Sequence, residues 1–170
     1  MLLTLLACLA LGLCAYAALR DVVTLIIPNW LNAAILVSGC LALMVAGLGW
    51  DAISEHLLAG LVAFAVSAAM FYAGLWGGGD AKMVPGVMVW LGPTAAFDFV
   101  FGMAIVGGGL ALVLILVRAL TPATGPHTQI RSLRRGQGVP YGVAILGGLV
   151  FAMGTSPLFG PVASRVPFLN

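Results

Sequence analysis

Long apolar runs separated by short polar interruptions make up most of this chain. Leu2 to Leu19 carries no charge and is long enough to span roughly 30 Å of hydrocarbon. After Arg20-Asp21 the apolar character resumes with Val22 to Ile27 and stops at Pro28-Asn29. Proline disfavours helix at the residue before it, so the pattern predicts a first helix over 2–27. Asp21 then lies inside that helix, one to two turns before its end, an odd place for a surface charge. Further helices are predicted over 30–48, 57–76, 81–92, 95–117 and 141–158, six in all. Asp51 and Glu55 fall in a polar link before the third, and Arg118 to Val139 forms the one soluble-looking loop.

Composition turns these helices into membrane spans. The chain has 170 residues, 62% hydrophobic and 7% charged, with a mean hydropathy of +1.17. Soluble domains carry roughly 25% charged residues, which excludes a soluble enzyme or a nucleic-acid-binding module. The expectation is an all-α polytopic protein, residues 1–170 forming a single integral-membrane domain. The first run has no basic residues ahead of it and no small-residue cleavage site, so it is read as a retained helix. Cys8, Cys14 and Cys40 lie within apolar runs as small hydrophobes. His56 and His127 stand apart from each other and from any cysteine, so neither a metal nor an organic cofactor is expected.

Charge placement sets the orientation. With six spans, Arg20, Lys82, Arg118, Arg131, Arg134 and Arg135 share one side, and the other holds Arg165 with Asp51, Glu55 and Asp98. Excess Lys and Arg marks the cytoplasmic face. Both termini are therefore expected outside, with Asp21 and Asp80 near the cytoplasm. From Asp80 to Leu91 the helix would measure only about 18 Å at 1.5 Å per residue. That is short of a bilayer, which places Asp80 below the interface in a protein-lined cavity.

Ionisable groups within membrane segments are costly and are functional candidates. Asp21 and Asp80 are two of them on one side. A pair of carboxylates at close quarters shares a proton, so one can activate water while the other protonates a leaving amine. Gly77, Gly78 and Gly79, which precede Asp80, lack Cβ atoms and would let an extended substrate backbone approach. Plainer roles stand beside these. Asp80 suits the cap of a helix starting near Ala81. Asp21 could pair with Arg20 or Lys82, the glycines could be a link, and Asp98 sits near a helix start as a dipole or cap residue.

Together these motifs resemble the type IV prepilin peptidases, membrane aspartic proteases with a GxGD motif. Gly77-Gly78-Gly79-Asp80 matches that motif, and Ala81-Lys82 extends it to GxGDxK. Asp21 followed by Ile27-Pro28-Asn29 is similar to the family's first aspartate with its downstream Ile-Pro-Asn. Val139-Pro140-Tyr141-Gly142 is similar to the element before the last span. The resemblance implies catalytic Asp21 and Asp80, supported by Gly77, Gly79, Lys82, Pro28 and Asn29. It implies cleavage of the short basic leader of a prepilin or pseudopilin at the cytoplasmic face of the inner membrane, alongside pilus or secretion machinery. The four-cysteine zinc insert of larger members is absent, so no methyltransferase activity is expected; the chain is similar to the short form serving tight-adherence (Flp-type) pili. The segment between Asp21 and Ile27 is more apolar than is usual in the family. An archaeal preflagellin-type peptidase is the nearest alternative, and a small transporter or proton relay is one from another class.

Overall fold

The computed structural model describes residues 1–120, 129–134 and 136–160. All its regular structure is helical: α1 (Leu2–Thr24), α2 (Asn29–Val45), α3 (Trp50–Tyr72), α4 (Gly78–Leu91), α5 (Ala96–Leu120) and α6 (Tyr141–Ala152). Short 3-10 turns cover Pro93–Ala95, Arg131–Leu133 and Met153–Thr155. His127, Arg135 and Arg165 lie outside the described residues. The segments Leu2–Thr24, Trp50–Tyr72 and Pro93–Leu120 are long and apolar enough to cross a membrane, and Asn29–Val45 and Tyr141–Thr155 are shorter apolar helices. Large apolar side chains such as Leu9, Leu61, Phe64 and Leu112 are exposed on the outside. Exposed apolar surface on this scale calls for lipid. The protein is a multi-pass membrane protein.

Several helices start or stop away from their sequence expectations, each for a local reason. α1 ends at Thr24 rather than 27. Leu25 adopts the left-handed conformation (φ 52°) and its N–H returns to the Asp21 carbonyl at 2.8 Å. The Thr24 hydroxyl closes the same turn on the Arg20 carbonyl at 2.7 Å. α3 begins at Trp50, well before 57, so Asp51 and Glu55 belong to the helix and not to a link. An acidic residue in a first turn faces unpaired N–H groups and the positive end of the helix dipole. α4 begins at Gly78, so two of the three glycines are helical and no free link precedes Asp80. The last apolar run divides, α6 ending at Ala152 before a 3-10 turn.

α4 is the centre of the bundle, packed by α2, α3 and α6; α6 in turn packs on α1 and α5. From Asp80 to Leu91 every α4 residue except Lys82 is buried. At 14 residues it measures only about 21 Å, and its neighbours, not lipid, surround it. Beside it, α3 and α5 leave an apolar groove of about 610 Å³, running from Glu55 to Trp76 over Val84 and Met88.

Both ends and the middle of α4 are tied by side chains. Pro85 lies inside the helix and has no N–H for the Ala81 carbonyl four residues back. The Ser67 hydroxyl fills that place, donating to the Ala81 oxygen at 2.8 Å in a buried setting. At the C-terminal end, His56 Nδ1 donates to the Val89 carbonyl at 2.9 Å and the Ser156 hydroxyl to that of Trp90 at 3.1 Å. The Trp90 indole N–H reaches the Ser38 hydroxyl at 3.2 Å. Ser67→Ala should therefore orphan a buried carbonyl and destabilise the protein by about 1–3 kcal/mol. Adding Pro85→Ala, which restores the N–H, should recover most of that loss. Thermal melts of the single and double variants in detergent check this, and a double variant no better than Ser67→Ala would refute it.

Candidate active site at the first turns of α4 and α6

The structure brings Asp21 and Asp80 to the same end of the bundle, each at the start of a different helix. Asp21 is 5% exposed. Its Oδ2 accepts the backbone N–H of Gly142, the second residue of α6, at 2.8 Å. The N–H groups of a first turn have no partner within their own helix, so a helix start accepts a carboxylate as it would any anion. A Cβ on residue 142 would lie 3.1 Å from both Cβ and Oδ2 of Asp21, so the approach requires glycine there.

Asp80 is the third residue of α4 and 7% exposed. Gly77, in an extended conformation (φ −72°, ψ 150°), forms the N-cap. Its backbone N–H donates back to the Asp80 carboxylate, as the acidic residue of a capping box does. The cap role anticipated for Asp80 is thus present in altered form: it serves a helix starting at Gly78, from within. Its Oδ1 is buried and takes no hydrogen bond. Asp21 is close enough for its charge to act on Asp80.

Ile27 joins the two halves. A Cβ on Gly79 would fall 2.9 Å from the Ile27 Cβ, and one on Gly142 would fall 3.3 Å from the Ile27 Cδ1. Side chains elsewhere fill the remaining glycine space, with Phe71 at 3.3 Å from the Gly78 position and Asp80 Oδ2 at 2.9 Å from the Gly77 position. The glycines therefore let the protein close on itself, where a substrate strand was expected. Pro28 is the N-cap of α2 in an extended conformation (φ −63°, ψ 143°), which starts the helix at Asn29. Asn29 Oδ1 accepts Lys82 Nζ at 2.9 Å. Lys82 thus bridges to α2 instead of pairing with Asp21, and Arg20 does not pair with Asp21 either, its buried Nε having no partner.

Charged residues elsewhere organise the same end. Arg118, at the end of α5, holds the carbonyls of Ser132 at 2.6 Å and Gly138 at 2.8 Å, and Arg131 reaches the Thr24 carbonyl of α1 at 3.2 Å. These bonds draw the α5–α6 loop over the end of α1. Asp98 lies in the first turn of α5 and accepts the Thr155 hydroxyl at 2.8 Å. His56 is spent on the far end of α4, and among the described residues no group of three or more His, Cys, Asp or Glu could hold a metal ion.

Sequence reasoning missed Asn32, Ile27 and the role of the Gly142 N–H. Asn32 is 5% exposed and its Nδ2 donates to the Gly79 carbonyl at 3.2 Å. The available signal was that Asn32 and Ser38 alone interrupt the apolar run from Trp30 to Leu48. Polar side chains in such runs pair across helices. Ile27 gave no signal of its own.

Fold and site together define a multi-pass helical membrane protein with two buried carboxylates at one end, each seated on a helix start. A family model described as the type IV leader peptidase family matches residues 8–112. That is more than half of the chain and includes both aspartates, so the protein belongs to the type IV leader peptidase family. It is accordingly a peptidase of the leader-removing kind, with prepilins as its family's substrates. No curated protein and no solved structure matches the chain.

Proposed function

We propose that this peptidase removes the short leader of a type IV or Flp-type prepilin at the cytoplasmic face of the inner membrane, with Asp21 and Asp80 as the catalytic pair. One observation carries this reading: two buried carboxylates, far apart in sequence, meet at one end of the bundle within reach of each other's charge. In the reaction, one carboxylate takes a proton from water as the oxygen attacks the scissile carbonyl. The other enters protonated and passes its proton to the leaving nitrogen as the C–N bond breaks. The N–H groups of Gly142 and Gly77 hold one oxygen of each carboxylate in place.

Orientation follows from charge. Arg118 and Arg131 bond to backbone at the Asp21 end, and Lys82 lies next to Asp80. Basic residues favour the cytoplasmic side, which puts the pair there and both termini outside. The test is purified protein in lipid nanodiscs with a synthetic peptide that joins a basic leader to an apolar helix. A single cut at that junction is expected; an intact peptide would overturn the reading.

A further inference from the structure

Two buried acceptor oxygens stand without donors beside the same peptide unit. Asn32 Nδ2 donates to the Gly79 carbonyl at 3.2 Å while its Oδ1 is buried and unpartnered. Gly79 directly precedes Asp80, whose Oδ1 is buried and unpartnered as well. Buried polar atoms are almost always satisfied, and each exception calls for an explanation. The nearby cations do not supply one. Lys82 Nζ is engaged by Asn29 Oδ1, and Arg131 is bonded to Thr24. The Ser67 hydroxyl, which also faces α4, is taken by the Ala81 carbonyl. What fits two orphaned acceptors in an enclosed polar spot is one small molecule with two O–H donors.

We propose that Asn32 Oδ1 and Asp80 Oδ1 form the binding site of a water molecule, and that this is the water consumed in hydrolysis. The inference rests on the hydrolytic reading above. In the resting enzyme the water gives one hydrogen to each oxygen. On reaction, the O–H bond directed at Asp80 breaks and that proton passes to the carboxylate. The oxygen's electron pair forms the new bond to the substrate carbonyl carbon, and the other hydrogen stays on Asn32 Oδ1, which keeps the oxygen aimed. The peptide C–N bond then breaks and its nitrogen takes a proton from Asp21. Asn32 also acts through Nδ2, which fixes the Gly79–Asp80 peptide on which the carboxylate is carried.

The test compares wild type with Asn32→Leu, which keeps the side chain's shape and removes both polar atoms. A purely structural asparagine with an orphaned oxygen predicts unchanged or raised thermal stability and unchanged turnover. The water site predicts a kcat at least about tenfold lower with KM within about twofold. It also predicts a bound-water O–H stretch in the infrared spectrum of the substrate-free protein, identified by its shift in oxygen-18 water. That band should vanish in both Asn32→Leu and Asp80→Asn. An unchanged kcat in well-folded Asn32→Leu overturns the proposal, and so does the absence of the band from wild type or its persistence in Asp80→Asn. A band that appears only with peptide bound assigns the acceptors to a substrate N–H and also overturns it. If Asn32→Leu fails to insert, the wild-type and Asp80→Asn spectra decide alone. If wild-type protein cleaves no peptide, the hydrolytic reading has failed, and the same spectra still decide whether the water is held.

Discussion

Asp80→Asn is expected to leave the protein folded and inserted while processing of a co-expressed prepilin falls by on the order of a thousandfold or more. Asparagine has nearly the shape of aspartate, and its carboxamide oxygen can still accept the Gly77 N–H that faces residue 80. What it cannot do is take up or give a proton, and general acid–base groups contribute roughly 10² to 10⁴ in rate. Asp21→Asn should behave alike, since its oxygen retains the Gly142 N–H at the start of α6. Because the two residues act on one reaction as a unit, the double variant should be little worse than either single one. The electrophoretic mobility of the pilin, with thermal melts of each purified variant, measures both halves of the expectation. Mature pilin at normal levels in either variant would remove that residue from the chemistry.

The second large effect is expected at Gly79. An added Cβ would sit 2.9 Å from the Ile27 Cβ and 3.4 Å from the Ile27 backbone nitrogen. Neither atom is the free end of a flexible side chain, so Gly79→Ala must displace either the first turn of α4 or the α1–α2 link. Overpacking of this kind costs about 1–3 kcal/mol. The larger loss should be in rate, because the displaced turn carries Asp80, and a misplacement of about 1 Å at a reacting centre costs roughly a hundredfold. Gly108→Ala is the matched control. Nothing lies within 4 Å of its added Cβ, and alanine is the better helix former. It should process pilin normally and melt no lower than wild type. Equal behaviour of Gly79→Ala and Gly108→Ala in the pilin assay would show that the closure around Ile27 is not needed for the site.

Run length and composition were enough to anticipate six helices, because an apolar run in a chain this poor in charge has few alternatives to a buried or lipid-facing helix. They misplaced ends wherever a cap departed from simple hydropathy. Asp51 and Glu55 read as a polar link, yet an acidic first turn is what a helix start at Trp50 favours. Gly77 to Gly79 read as a flexible bend, yet α4 begins within them and Asp80 partners the cap. Asp21 and Asp80 were readable as rare charges inside apolar runs. Their surroundings were not, because Ile27, Asn32 and Gly142 act through shape and backbone groups that only the assembled helices create. The Pro85–Ser67 exchange was hidden for the same reason: the proline is visible in the sequence, but the hydroxyl that compensates for it lies on another helix.

The anchoring of α4 bears on how the site can move. Asn32 fastens its first turn, Ser67 its second, and His56, Ser156 and Trp90 its far end. A rod pinned at three levels neither slides nor rotates without breaking several buried bonds at once. α1 and α6 are fastened to each other, through Asp21 to Gly142, and Arg131 ties the loop ahead of α6 to the end of α1. The protein is thus divided mechanically into a fixed post that bears Asp80 and a paired lever that bears Asp21. Ile27 is the fulcrum between them. Any stroke that brings the carboxylates together, or parts them to admit a chain, belongs to the lever.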